Sequence, residues 1–186
     1  MKKNFLFFAL LLTAGIFMTS CEKEEPEIEN EEEVITTLNY TLTPSSGGTA
    51  VTLSFRDLDG DGSDAPVITG GTLAANQTYT GSIDLLNELE SPAERITTEI
   101  ESEDDEHQFF FTSSVGGLSV AYSDEDAEGN PVGLSSTLTT GSAATGNLTI
   151  ILRHEPNKSG DGVKDGNIAN AGGETDIEVT FPVTVQ

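Results

Sequence analysis

Apolar and polar residues alternate with a period of two along most of the chain from residue 34 onward. Residues 34–42 and 51–55 each place their apolar side chains on one face, and a Pro/Gly-rich turn separates them, which predicts a β-hairpin. Similar short runs predict strands at residues 66–68, 76–88, 107–112, 118–122, 132–139, 146–154 and 175–185. Short strands divided by turn signals are typical of all-β proteins, so we expect an immunoglobulin-like antiparallel β-sandwich.

One segment has a helical pattern instead. Ser91 is a suitable N-cap, Pro92 would occupy the first helical position, and Ile96 and Ile100 are four residues apart. We therefore predict one short helix at residues 91–105, with Ser91 as its cap.

The strands from residue 107 to residue 154 have the pattern of a four-strand meander, in which each strand runs antiparallel to the one before it. A stretch of about twenty residues rich in Gly, Asp and Asn follows, before the last strand. An unstructured connection of this length is usually functional or disordered.

The N-terminus has the features of a signal peptide. Two lysines precede an apolar run at residues 5–17, which is too short to span a bilayer as a mature helix. Residues 18–21 (Met-Thr-Ser-Cys) end on the only cysteine and resemble a bacterial lipobox, which implies cleavage before Cys21 and its acylation with palmitate. The alternative is an ordinary secretory signal with a chance cysteine. We predict a signal peptide at 1–20, a disordered acidic tether at 21–33 and a sandwich domain at 34–186.

The charge of the chain restricts its partners. It has 8 Lys and Arg against 32 Asp and Glu, a formal charge of −24. Removal of residues 1–20 takes away two lysines and leaves −26 (6 − 32). Electrostatic binding to nucleic acid or to anionic lipid is excluded at this charge, whereas attraction of cations is favoured.

A candidate calcium loop follows the predicted hairpin. Asp57, Asp59 and Asp61 alternate before a glycine, as the oxygen ligands at positions one, three and five of an EF-hand loop do. Ile68 stands where that loop has its bidentate glutamate, and Asp64 is the substitute ligand that we expect. Asp and Gly are also common in plain turns, so a turn without an ion is the alternative.

A second run repeats this spacing with Asp124, Asp126 and Glu128. Two such runs in one small secreted domain strengthen the hypothesis of bound Ca²⁺.

The two histidines of the chain, His107 and His154, each end a core-facing row of apolar residues and have a glutamate beside them. If the meander alternates in direction, both lie at the same end of the sandwich. The acidic residues expected at that end are Asp124, Asp126, Glu155, Asp161 and Asp165. Imidazole and carboxylate together suit Zn²⁺ or a similar divalent ion. The alternative is two histidines that cap the rim of the core without a ligand.

Motifs of catalysis are missing from the sequence: it has no Gly-x-Ser-x-Gly elbow, no phosphate-binding loop and no His-Glu-x-x-His. We therefore do not expect an enzyme.

The whole chain resembles the small lipoproteins of Bacteroidota that often accompany TonB-dependent outer-membrane receptors. The resemblance rests on the lipobox, the acidic tether, and the runs at residues 55–62 and 152–158. Lys23-Glu24-Glu25 is similar to the export signal that carries such lipoproteins to the cell surface; an anchor facing the periplasm is the alternative. Some of these proteins carry the label of the type 1 periplasmic binding superfamily, whose two-lobed α/β fold is larger and less β-rich than this chain.

The resemblance implies an accessory protein of the outer membrane that captures a divalent cation or small ligand for a transporter. The other functional class that we consider is a structural or adhesive sandwich whose acidic loops hold Ca²⁺ for rigidity alone.

Overall fold

The structure is a computed structural model that describes residues 33–60 and 62–186. The predicted signal peptide, Cys21, the tether up to residue 32, and Asp61 lie outside the described residues. Among the described residues, no helix is long and apolar enough to cross a membrane.

Ten strands and one α-helix make up the described fold. In chain order they are β1 (Thr37–Pro44), β2 (Val51–Arg56), β3 (Val67–Thr69), β4 (Gly71–Leu73), β5 (Thr78–Leu86), α1 (Thr97–Ser102), β6 (His107–Ser113), β7 (Ser119–Tyr122), β8 (Ser135–Thr139), β9 (Ala144–His154) and β10 (Glu174–Val185).

The strands form two sheets within the compact unit Glu32–Gln186. One sheet has the order β3-β2-β1-β5-β8-β7, and the other has the order β4-β10-β9-β6. All neighbouring strands are antiparallel except β4 and β10. The facing sides of the sheets contribute one buried apolar core, to which Leu38, Phe109 and Phe181 belong. The prediction of an all-β antiparallel sandwich with one short helix is confirmed.

The predicted four-strand meander is wrong. After β6 the chain crosses to the six-stranded sheet for β7 and β8, and it returns to the four-stranded sheet as β9. As a result β6 and β9 are direct antiparallel neighbours. Period-two alternation defines the two faces of each strand but not the sheet to which the strand belongs.

The predicted start of the helix is also wrong. Asn87 and Glu94 exchange backbone hydrogen bonds of 3.0 Å in both directions, which commits Glu94 to a bridge. The Ser91–Pro92 peptide bond within this turn is cis. The helix therefore begins only at Thr97, although the spacing of Ile96 and Ile100 correctly identified its buried side.

The long segment before β10 packs over the outer face of the four-stranded sheet. It contains two 3₁₀ turns, Val163–Asp165 and Ile168–Asn170. Val163 and Ala171 bury Phe110 of β6 in a second, smaller apolar cluster, and the Gln108 side chain donates a 2.9 Å hydrogen bond to the Val163 carbonyl. Because of this cover, β6 is buried on both faces at its start.

Candidate functional site

The two histidines lie side by side at one end of the four-stranded sheet. His107 begins β6, His154 ends β9, and the register of the two strands pairs these residues directly. Their rings stack with centroids 4.6 Å apart and planes inclined by 23°. The prediction that they share one end of the sandwich is confirmed, although their strands meet within one sheet rather than across the sandwich.

Two contacts fix the orientation of His107, which is completely buried. Its Nδ1 lies 3.0 Å from the Glu103 carbonyl oxygen, which can only accept, so Nδ1 carries the hydrogen. Its Nε2 lies 2.9 Å from Glu33 Oε1, but that oxygen is out of line with the ring nitrogen, so the contact is not a well-aligned hydrogen bond.

A β-bulge brings a second carboxylate to the pair. The register between β9 and β10 shifts between Thr175 and Ile177, which leaves Asp176 as the extra residue. A bulge turns a side chain out of the regular alternation. The Asp176 oxygens lie 4.0 Å from His107 Nε2 and 4.0 Å from His154 Nδ1, and only 3% of the side chain is exposed.

These four residues form what we call the inner cluster: Glu33, His107, His154 and Asp176. Each contributes a nitrogen or oxygen atom that can bind a metal, and the four atoms lie within 4.8 Å of one another. Zn²⁺ with four ligands is tetrahedral, so its nitrogen and oxygen ligand atoms lie roughly 3.5 Å from one another. Two imidazoles and two carboxylates can therefore hold a divalent ion once the most widely spaced of these atoms move about 1 Å closer together.

The electrostatics of the inner cluster depend on the contact between His107 and Glu33. Burial alone would lower the pKa of His107, but Glu33 and the Glu103 carbonyl outweigh it, so the pKa is raised. Burial alone would raise the pKa of Glu33, yet the contact with His107 holds that pKa below its ordinary value. The pair therefore favours a charged glutamate facing a positive charge.

An outer cluster adjoins the inner one and shares His154. It consists of Glu106, His154 and Glu155, whose ligand atoms also lie within 4.8 Å of one another. His154 Nε2 is 3.7 Å from Glu106 Oε2. Both glutamates are exposed, so this cluster faces solvent.

The first predicted calcium loop lies elsewhere, on the surface after β2. Asp57 Oδ1 accepts backbone N–H groups of Asp59 at 3.2 Å and Gly60 at 3.0 Å. Asp59 Oδ2 accepts the N–H of Asp64 at 3.1 Å. The described part of this loop is an ordered turn in which Asp57, Asp59 and Asp64 are near one another, and calcium binding stays a prediction.

The second predicted calcium loop uses its carboxylates to hold the fold. Asp124 accepts the N–H groups of Gly133 and Ser135 at 2.8 and 2.7 Å. Asp126 is buried and bonds to Asn130 through both oxygens and to Lys158 Nζ at 3.0 Å.

The remaining predicted ligands are scattered. Glu128 is exposed, and its backbone N–H donates to Asp126 Oδ1 at 3.1 Å. Asp161 and Asp165 are exposed residues of the long segment before β10. Of the acidic residues expected beside the histidines, only Glu155 belongs to a metal-capable cluster among the described residues.

Sequence reasoning missed Glu33 and Asp176. Glu33 is the last residue of the predicted tether, where a run of acidic residues gave no sign that one of them is buried. In a strand of regular alternation Asp176 would share the outward face with Glu178, and no local pattern in the sequence indicates the bulge. His107 and His154 were found because each ends a core-facing row.

Comparisons with known proteins do not assign this chain to a family. No known protein family matches the chain, and no curated protein matches it. It is similar to the crystal structure of domains 4 and 5 of the S-layer protein SbsC, with 17% identity and a TM-score of 0.33 over 78% of this chain and 75% of that chain. This similarity carries no argument about function. The fold and the site define the class: a β-sandwich domain with a buried cluster of histidines and carboxylates.

Proposed function

We propose that this protein is a lipid-anchored, surface-exposed binding protein that captures a divalent transition-metal ion such as Zn²⁺ in the inner cluster. In this proposal the ion is passed to an outer-membrane transporter of the TonB-dependent type. The lipobox and the resemblance to Bacteroidota lipoproteins support the anchor and the partner. The geometry of His107 and Glu33 supports the cation.

The observation that carries the proposal is a pair of buried atoms, His107 Nε2 and Glu33 Oε2, which have no hydrogen-bond partner among the described residues. Because Nδ1 of His107 holds the ring hydrogen, Nε2 of a neutral ring would be an electron-rich atom without hydrogen, 2.9 Å from a carboxylate oxygen. A positive charge on Nε2, either a proton or a metal ion, removes this repulsion. Histidines that bind metals commonly donate their other ring N–H to a backbone carbonyl, as His107 does to Glu103.

Calorimetric titration with Zn²⁺ tests the proposal. The protein used begins at residue 22 and so retains the compact unit Glu32–Gln186. We expect Glu33→Gln to weaken Zn²⁺ binding at least roughly tenfold, because a ligand contributes no less than the groups that orient ligands. This variant keeps the size of the side chain, and His107→Ala should weaken binding at least as much.

Asp59→Ala, in the exposed loop after β2, is the matched control and should leave Zn²⁺ affinity unchanged. Equal Zn²⁺ affinity in the wild type, Glu33→Gln and His107→Ala would contradict the proposal. Preference for Ca²⁺ over Zn²⁺, with Ca²⁺ binding lost in Asp59→Ala, would instead support the structural or adhesive class.

A further inference from the structure

His154 belongs to both clusters, and its two ring nitrogens face different carboxylates. Nδ1 lies 4.0 Å from Asp176 Oδ1, inside the protein, and Nε2 lies 3.7 Å from Glu106 Oε2, toward the surface. Both separations exceed a hydrogen bond but suit two ligands of one cation. One imidazole therefore connects a buried site to an exposed one.

The inner cluster needs a path of entry because its side chains are almost fully buried. The exposed fractions are 0% for His107, 3% for Glu33 and 6% for His154. The Glu106 side chain is 51% exposed, and it stands directly outside His154. An ion held by Glu106 is thus one imidazole away from the buried site.

The backbone holds the outer cluster in place. Glu106 directly precedes β6 and Glu155 directly follows β9, so the antiparallel pairing sets these two glutamates beside each other. The Glu155 N–H also donates a 2.7 Å hydrogen bond to the Glu106 carbonyl. The two carboxylates therefore flank the same edge of His154 without dependence on a mobile loop.

A neutral imidazole has one lone pair, since its other nitrogen carries the hydrogen. His154 can therefore bind an outer ion through Nε2 or an inner ion through Nδ1, but it cannot serve both in the same neutral form. Binding through Nε2 and binding through Nδ1 are therefore mutually exclusive, and an ion that passes from Nε2 to Nδ1 requires the ring hydrogen to exchange from Nδ1 to Nε2.

We propose that Glu106, His154 and Glu155 form an entry site, where a divalent transition-metal ion binds first before it moves past His154 into the inner cluster. This inference rests on the proposed function, since it assumes that the inner cluster is the final site. In this inference Glu106 and Glu155 increase the rate at which the ion is captured and do not change the equilibrium affinity of the inner cluster for it.

The test is stopped-flow measurement of Zn²⁺ association and dissociation in the double variant Glu106→Gln/Glu155→Gln. Local carboxylates raise cation on-rates by tenfold or more, so we expect roughly tenfold slower association. Dissociation should slow by the same factor, because an entry site is also the exit, and the equilibrium dissociation constant should stay unchanged.

A second surface route provides the matched control. A groove of about 490 Å³, lined by Asp57, Asp176 and Glu178 among others, also reaches the inner cluster. Asp57→Asn/Glu178→Gln removes two negative charges from this groove, as many as Glu106→Gln/Glu155→Gln removes from the outer cluster. It should change the rates of Zn²⁺ association and dissociation no more than about twofold. Slower association in this control than in Glu106→Gln/Glu155→Gln would overturn the inference, since the ion would then enter through the groove.

Two other results would also overturn it. Unchanged rates in Glu106→Gln/Glu155→Gln would exclude an entry role, and weaker affinity through faster dissociation would make these glutamates ligands of the final site. Neither result affects the proposed function, which depends on the loss of equilibrium affinity in Glu33→Gln.

Discussion

At the level of single residues, Tyr40 shows how the apolar core accommodates a buried polar group. Tyr40 is fully buried, and its hydroxyl shares a 2.8 Å hydrogen bond with Ser136 Oγ on β8. Burial raises the pKa of Tyr40 to about 12, since a charged phenolate would lack water around it. The phenol of the folded protein therefore keeps its proton at pH values where an unfolded tyrosine loses it.

This shift predicts how stability depends on alkaline pH. The pKa of Tyr40 is higher in the folded protein than in the unfolded chain. The protonated phenol therefore contributes its full stabilisation below pH 10, and this stabilisation is lost as the pH rises toward 12. The loss reaches about 1.4 kcal/mol per pH unit within that window. Urea unfolding at pH 8, 10 and 11 should show a smaller decline in Tyr40→Phe than in the wild type. Parallel declines in the two proteins would refute the assignment to Tyr40.

The exposure of the side chains is the basis for the different roles proposed for the two clusters. Glu33 and His107 are buried and hold the cation in the proposed final site, whereas Glu106 is half-exposed and can exchange ions with solvent. In this proposal, glutamate and histidine set the final affinity in the inner cluster, and glutamate sets the rate of capture in the outer cluster.

At the level of elements, a buried ion pair joins three connections of the chain. Lys158, in the segment before β10, bonds through Nζ to Asp126 and to the Asp104 carbonyl after α1. The side chains are 5% and 0% exposed for Lys158 and Asp126. The pair and the bonds from Asn130 hold the pKa of Asp126 below its ordinary value, against the effect of burial.

Removal of one partner should therefore be costly. We expect Lys158→Met to lower the free energy of unfolding by about 3–5 kcal/mol, because the buried Asp126 carboxylate loses its positive partner and keeps only the hydrogen bonds from Glu128 and Asn130. Lys158→Met combined with Asp126→Asn should recover a substantial part of that loss. Urea denaturation measures both values. A loss below about 1 kcal/mol in Lys158→Met would mean that water already compensates the carboxylate.

The bulge in β10 is the element on which the inner cluster depends most. It places Asp176 beside both histidines, while Ile177 and the following residues keep the regular alternation of the strand. The proposed metal site therefore depends on an irregularity near the start of β10.

At the level of the whole molecule, the sandwich is proposed to be held at the outer membrane by its lipid. Metabolic labelling with a palmitate analogue should mark the wild type and leave Cys21→Ala unlabelled, since the cysteine thiol is the proposed attachment point. Equal labelling of both proteins would exclude acylation at this residue.

Surface display is a separate prediction. Protease treatment of intact cells should cut the tether of the wild type, and replacement of Lys23-Glu24-Glu25 by alanines should protect it. The Cys21 label serves as the control, because acylation should be the same in both proteins. Protection of the wild type from protease would place the domain on the periplasmic side.

Local patterns in the sequence were sufficient to predict the class of fold and the inward faces of most strands. Alternation with a period of two is a local property, and residues such as Leu148, Ile150 and Leu152 are buried as their spacing predicted. The same phase placed His107 and His154 at the ends of core-facing rows, which identified half of the inner cluster.

The choice of neighbouring strands and the position of the bulge depend on contacts between distant parts of the chain. The pairing of β6 with β9 follows from the transfer of β7 and β8 to the other sheet, and it stacks the two histidines. Glu33 joins the cluster through a contact with His107, which is distant from it in sequence. Asp176 joins the cluster through the bulge in β10. Such features depend on the packing of the whole sandwich, which alternation within one strand does not encode.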